Sequence, residues 1–148
     1  MSLEFDHVGM VVKNIENTMN ELKKLFGLEL AKNGPYSQIF EWEEGRFVML
    51  PTNGVKIELL EPKAGPLLDF LKERGDGALC EICFRVNEIE KHYDRFKKMG
   101  LTPLDDFEGK PLIERKYTPS HTAKFFYLPR KGKGAAFEIL ELPAENTK

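Results

Sequence analysis

His7, Glu58, Glu81 and Glu138 are the residues of this chain whose types and placement could do chemistry. One imidazole and three carboxylates make a hard, oxygen-rich donor set, suited to Mn²⁺, Mg²⁺, Co²⁺ or Ca²⁺ rather than to a structural zinc. Each stands in an apolar run. His7 lies in Asp6-His7-Val8-Gly9-Met10-Val11-Val12, Glu81 in Cys80-Glu81-Ile82-Cys83-Phe84-Arg85-Val86, Glu58 between Ile57 and Leu59, and Glu138 between Phe137 and Ile139. Strand neighbours alternate faces, so Glu58 and Glu138 point away from their apolar flanks. Two readings follow. In the first, these residues are the solvent face of half-buried strands. In the second, all four converge, and carboxylates about 4 Å apart would repel by roughly 4 kcal/mol per pair at an effective dielectric near 20. Such a cluster holds a cation or carries raised pKa values.

The elements that must position these residues occur twice. His7 and Glu81 are the second residues of the two opening runs, 74 positions apart. After each run comes a helical stripe at i, i+4, i+7, i+10: Ile15, Met19, Leu22 and Leu25, then Ile89, Tyr93, Phe96 and Met99. Asn14 and Asn87 are expected N-caps, the second with Glu90 as a capping box, and Gly27 and Gly100 end the helices. Phe47–Pro51 matches Phe125–Pro129, and Val55–Pro62 matches Ala135–Leu142, each pair joined by a Gly-containing turn as hairpins require. Gln38–Glu43 and Ile113–Tyr117 are the remaining expected strands. Pro66 starts and Gly75 ends a connecting helix over Leu67–Arg74. The expected fold is therefore α+β: two tandem βαβββ modules, residues 5–62 and 78–142, around a connecting helix at 66–75. A pseudo-twofold axis would face equivalent strands across a metal and substrate cavity enclosed by two curled mixed sheets, all within a single domain of residues 1–148.

Composition narrows the function. The chain has 148 residues, 41% hydrophobic and 31% charged, with a formal net charge of −2. That balance lacks the basic excess that nucleic acid or an anionic membrane surface would attract. No stretch approaches the roughly 18 apolar residues that span a bilayer, and Met1-Ser2-Leu3-Glu4 lacks the regions of a signal peptide. Two nearby cysteines make no disulfide framework, so a cytoplasmic, reduced protein is expected.

These residues resemble the vicinal-oxygen-chelate (glyoxalase/bleomycin resistance/dioxygenase) superfamily, and within it the methylmalonyl-CoA epimerases. The likeness runs through Asp6-His7-Val8-Gly9, Val-Lys-Ile-Glu-Leu-Leu-Glu-Pro at Val55–Pro62, Leu67–Gly75, Ile82–Val86 and Phe137–Glu141. The resemblance implies the glyoxalase-like fold and one divalent ion (Mn, Co, Mg, Ni or Zn) held by His7, Glu58, Glu81 and Glu138. It further implies an epimerase or isomerase that removes a carbon-bound proton beside a carbonyl through a metal-stabilised enolate. The substrate class is an acyl-CoA or other 2-oxo or thioester compound, with Glu138 as base and Glu58 its partner on the other face. Where those epimerases read His-His, this chain reads Cys80-Glu81. Where a further catalytic carboxylate is often proposed, the chain has Arg46, with Glu44 two residues away. A homodimer is implied by the family alone. Two other functions suit the same features: a glyoxalase I-type lactoylglutathione lyase, and a non-catalytic small-molecule-binding or resistance protein. Extradiol dioxygenases need two His and one carboxylate, which Glu81 opposes.

Several other residues bear on a site. Cys80-x-x-Cys83 suggests redox or zinc chemistry, but residues three apart on a strand face opposite sides. Cys83 shares a face with Glu81 and could floor the cavity. His121 could overhang it as an acid or substrate contact, or be a solvated loop residue. His92 is expected on the exposed side of its helix. Arg130, Lys131 and Lys133 form a basic turn that could meet CoA phosphates as point charges, or stand as a solvated hairpin tip. Phe40 and Trp42 alternate onto one strand face, lining either pocket or core.

Overall fold

The computed structural model describes residues 3–120 and 123–144. Chain contacts divide it into two compact units, Asp6–Cys80, and Glu81 onward together with the first residues of the opening strand. Among the described residues no helix is long and apolar enough to cross a membrane.

In the first unit β1 (Glu4–Val11) leads into α1 (Ile15–Phe26), then β2 (Phe40–Trp42), β3 (Gly45–Leu50) and β4 (Lys56–Pro62), followed by α2 (Gly65–Arg74). The strands lie in the order β2-β3-β4-β1, with β1 parallel to β4 and the other pairs antiparallel. Parallel pairing of first and last strands demands a long crossover, which α1 supplies. Asn14 caps α1 as expected, its side chain accepting from the Asn17 N–H at 2.8 Å, and Gly27 takes φ +70° at the C-terminus. The core joins Val12, Ile15, Val48, Leu50 and Leu59, with Ile57 packed against them. The Ile57 and Leu59 face of β4 therefore meets the helix, and Glu58 faces the other way.

The second unit repeats this design. β5 (Ala78–Arg85), which begins three residues before the dividing point, is followed by α3 (Ile89–Lys98), β6 (Thr118–Pro119), β7 (Lys124–Leu128) and β8 (Ala136–Glu141). The strand order is β5-β8-β7-β6, again with the opening strand parallel to the closing one. Tyr93, Phe96 and Phe126 build its core with Ile89 and Ile139, the aromatic rings meeting edge to face. The start of β1 belongs here: Phe5 packs 5.8 Å from Phe84, and Glu4 pairs with Arg85.

Four expectations need correction. Ile113–Tyr117 is not a strand. Ile113 is largely exposed, and the pairing falls on Thr118 and Pro119, opposite Phe125 and Lys124. Leu25 and Met99, the last members of the two stripes, stand at the C-terminal ends of their helices and are exposed. Asn87 does not cap α3. Glu88 holds that position in a left-handed conformation (φ 55°) without a side-chain cap bond. Finally, His92 is buried rather than exposed. Burial, with the nearby Arg95 charge, pushes its imidazole below the ordinary His range. The unfolded chain then binds the proton more readily, so stability falls as pH drops through about 6.5. His92→Gln is expected to flatten that slope, measured as urea midpoints between pH 7.5 and 5.5; equal slopes in both proteins would refute it.

A device the repeat carries adds to the Asn14 cap of α1 and stands in for the cap that α3 lacks. Glu61 Oε2 accepts from the Ile15 N–H at 2.9 Å, and Glu141 Oε1 accepts from the Ile89 N–H at 3.2 Å. The closing strand of each unit thus satisfies an orphan donor at its own helix N-terminus, where negative charge is also favoured. Arg46 clamps Glu61 and reaches Glu16 by two bonds of 2.8 and 2.9 Å, which hold the Glu16 carboxyl down to about 2. Burial alone would raise the Glu61 carboxyl, but Arg46 and the Ile15 N–H bring it below the usual range. Glu61→Ala removes the cap and one of the two carboxylates that Arg46 holds, at an expected cost of about 1–3 kcal/mol. Glu141→Ala should cost less, since its ion pair beside the cap is with Lys124 at the longer distance of 3.6 Å. Urea denaturation of both variants checks the order.

Candidate functional site

None of the four chemistry-bearing residues lies on a solvent face. His7 is 2% exposed, Glu58 8%, Glu81 0% and Glu138 7%, which removes the solvent-face reading for each. Burying carboxylates this deeply is costly unless each has a partner or an ion. The arrangement within each unit shows what those partners are.

In the first unit His7 sits between two carboxylates. Its Nδ1 stands 2.7 Å from Asp6 Oδ2, and its Nε2 stands 3.7 Å from Glu58 Oε1. Asp6 is itself buried and takes an ion pair from Lys56 at 3.1 Å. Burial raises the Asp6 carboxyl, but the His7 hydrogen bond and the His7 and Lys56 charges outweigh it and hold the group below its ordinary value. Asp6 is thus an acceptor, so Nδ1 carries a proton, and a neutral His7, the form that ligates a metal, would present its Nε2 lone pair toward Glu58. The 3.7 Å gap is too long for a hydrogen bond. It is close to the roughly 3–3.5 Å between two ligands each about 2.1 Å from one ion. His7 and Glu58 also count among the groups able to hold a metal. A carboxylate behind a His in this manner fixes the tautomer of a ligating imidazole. The donor set of this unit therefore fits a divalent ion.

Across β4, Glu58 shares a face with residues that line rather than seal it. Met49 lies opposite Glu58 in the antiparallel register, and Phe47 lies two pairs along, on the same face. Phe40 stacks on Phe47 at 5.3 Å, and Trp42 tilts against it at 6.1 Å. Those aromatics give Glu58 an apolar neighbourhood on the side away from α1. Gly45 permits the β3–β4 approach, since a Cβ there would lie 2.3 Å from the Glu61 carbonyl oxygen. Glu44 does not enter this face. Its carboxylate lies against Gly65, and its carbonyl accepts from Lys63 and Ala64 at the entry to α2. Arg46 is committed to Glu16 and Glu61.

In the second unit the centre is a residue that sequence reasoning missed. The Tyr127 hydroxyl stands 2.5 Å from Glu81 Oε2 and 2.8 Å from Glu138 Oε2. One hydroxyl carries one proton and can donate to only one carboxylate at a time. The second contact calls for another proton or a cation beside the pair. Register explains the meeting: Tyr127 lies opposite Glu138 across the β7–β8 hairpin, and Cys83 lies beside Glu138 across β5–β8. Leu104 pins Tyr127 from the outer edge through two backbone bonds of 2.7 and 2.9 Å. Cys83 shares this face, fully buried against Ala123 and Leu140. Cys80 and Cys83 are buried thiols rather than a disulfide.

Two other candidates are placed differently. Arg130 is not a free cation for phosphates: it bonds Glu108 at 2.9 Å and the Gly134 carbonyl at 2.7 Å, and it lies over the Phe107 ring. His121 lies outside the described residues. Two signals could have found the missed residues. Asp6 adjoins His7 in the sequence itself, and matching Phe47–Leu50 to Phe125–Leu128 sets Tyr127 where Met49 stands, directly opposite the closing-strand Glu.

Residues 6–113 match the family model of the Glyoxalase/Bleomycin resistance protein/Dioxygenase superfamily. The chain belongs to this superfamily. An ethylmalonyl-CoA/methylmalonyl-CoA epimerase of Cereibacter sphaeroides is 28% identical over 116 residues, 73% of this chain and 84% of that protein. The methylmalonyl-CoA epimerase of Mycobacterium tuberculosis superposes with a TM-score of 0.76 at 17% identity, covering 97% of this chain and 91% of that one. A variant of the Streptomyces coelicolor methylmalonyl-CoA epimerase, in complex with 2-nitronate-propionyl-CoA, gives 0.77 at 18% identity, with 97% of each chain covered. Those structures establish the glyoxalase-like fold, and the two repeated βαβββ modules are its signature.

Proposed function

We propose that this superfamily member is a divalent-metal-dependent epimerase acting on a carbon beside a thioester or 2-oxo carbonyl, in the manner of methylmalonyl-CoA epimerases. The observation that carries the reading is the Asp6–His7–Glu58 arrangement, in which a buried carboxylate sets the His7 tautomer and aims Nε2 beside a second carboxylate. The epimerase relative from Cereibacter sphaeroides supports the substrate class. In this reading His7, Glu58, Glu81 and Glu138 hold one ion, drawing ligands from equivalent strands of both repeats. A divalent cation would supply Lewis-acid stabilisation of the negative charge that develops on the substrate oxygens.

The chain's own residues do the rest. Glu138 removes the carbon-bound proton beside the carbonyl, leaving an enolate, and Glu58 serves the opposite face, so that a proton can return with inverted configuration. Both carboxylates are buried, so bulk water is kept from the reacting carbon. In this reading Cys83 floors the substrate face. The acyl-CoA substrate class follows from the same relatives. No observation here favours the lyase or the non-catalytic reading over this one.

Proton exchange tests the proposal. Purified protein loaded with Co²⁺ and incubated with methylmalonyl-CoA in D₂O is expected to lose the C2 proton far faster than a metal-only control. Samples are quenched and read by NMR. Exchange no faster than the control removes methylmalonyl-CoA as a substrate.

A further inference from the structure

We propose that Tyr127 sets the metal-ion selectivity of this chain, favouring small six-coordinate ions over Ca²⁺. The inference rests on the metal reading above and concerns which ion the Glu81–Glu138 pair can accept. Tyr127 engages the same atom, Oε2, of each carboxylate, at 2.5 and 2.8 Å. The hydroxyl donates to one of these Oε2 atoms at a time, and the carboxylate it holds offers an ion its Oε1 more readily than both oxygens together. Chelation through both oxygens would swing the carboxylate plane toward the ion and give up that hydrogen bond. Ca²⁺ takes six to eight oxygens and commonly uses bidentate carboxylates at about 2.3–2.6 Å, whereas Mg²⁺ and ions of its size take one oxygen per carboxylate in octahedral geometry. A hydroxyl that holds one oxygen of the pair in a hydrogen bond therefore penalises the larger ion.

Tyr127 is well built for this role. Leu104 holds its backbone on one side and β8 holds it on the other. Its ring meets Phe125 edge to face at 5.9 Å, so the hydroxyl is carried on a fixed lever. The first unit offers the contrast within the same chain. Met49 occupies the matching place opposite Glu58 and has no hydroxyl with which to turn that carboxylate. Charge alone cannot explain the Tyr127 arrangement, since a second carboxylate in the His7 position of the repeat would be served equally well by any donor. What the tyrosine adds is orientation, shared between both carboxylates by one oxygen.

The test measures binding, not turnover. Protein stripped with a chelator is titrated with Mn²⁺ and with Ca²⁺ by calorimetry, for wild type, Tyr127→Phe and Tyr127→Met. Tyr127→Phe keeps the ring and its contact with Phe125, and Tyr127→Met installs the residue type of the first repeat. Thermal melts confirm that the variants fold. Wild type is expected to prefer Mn²⁺ by at least tenfold, and both variants to lower that ratio at least fivefold, chiefly by tighter Ca²⁺ binding. Mn²⁺ binding in wild type with an unchanged ratio in the folded variants overturns the selectivity role and leaves the metal reading standing. Binding of neither ion by wild type overturns the metal reading, and this inference with it.

Discussion

Glu138→Gln is expected to slow carbon-bound proton exchange by about 10²–10⁴-fold, the usual contribution of a positioned general base. The substitution keeps the volume of the side chain and an oxygen that can still accept from the Tyr127 hydroxyl. What it removes is the negative charge and the basic site. The same change should not unfold the protein. Glu81 and Glu138 share one hydroxyl in a buried face, so neutralising one of them relieves like-charge repulsion. The metal-free variant should therefore melt no lower than the metal-free wild type. Measuring bound Co²⁺ alongside exchange separates the lost base from a lost ligand. Exchange within threefold of wild type, at equal metal occupancy, would assign the base elsewhere.

Asp6→Asn should weaken divalent-metal binding by about 10–100-fold, as loss of a carboxylate behind a ligating His does. Asn retains the size of Asp6 but can turn either its oxygen or its amide to His7 Nδ1. The imidazole then no longer has a single favoured tautomer, and Nε2 is no longer reserved as a lone pair. Lys56 loses its ion-pair partner in the same step. A second consequence concerns acid. The Asp6 carboxyl titrates below its ordinary value of 3.8 in the folded protein, so it stabilises the fold above that value. That stabilisation is lost as pH falls through the depressed folded value. Asp6→Asn should therefore narrow the stability difference between pH 6 and pH 3, read as urea midpoints. Unaltered Mn²⁺ affinity in the variant would show that Asp6 supports the fold alone.

Much of this arrangement is legible in the order of residues. The matched runs at Asp6–Val12 and Cys80–Val86 required two copies of one unit, because hydrophobic period and glycine placement agree across both. The alternation around Glu58 and Glu138 put those side chains on the face away from the helices, where the structure has them. Strand periodicity is a local property, and local spacing suffices to read it.

The chain between Leu104 and Tyr117 resisted the same reading. Its residues pair through isolated contacts, such as Leu104 with Pro111 and Tyr127, and carry no period to detect. Helix entry was misread at Asn87 for a related reason. The cap there comes from Glu141, 52 residues away, and no local motif announces it. His92 likewise reads as polar-faced by helical spacing, yet the fold buries it.

By itself the sequence determined the repeated βαβββ plan, most of each helix stripe and the identity of four of the buried polar residues, all consequences of near-neighbour geometry. Only the tertiary structure decided that Asp6 stands behind His7, that Tyr127 bridges Glu81 and Glu138, and that Glu61 and Glu141 close the helix ends. Those contacts depend on strand register and side-chain direction, which are fixed only when distant segments pack.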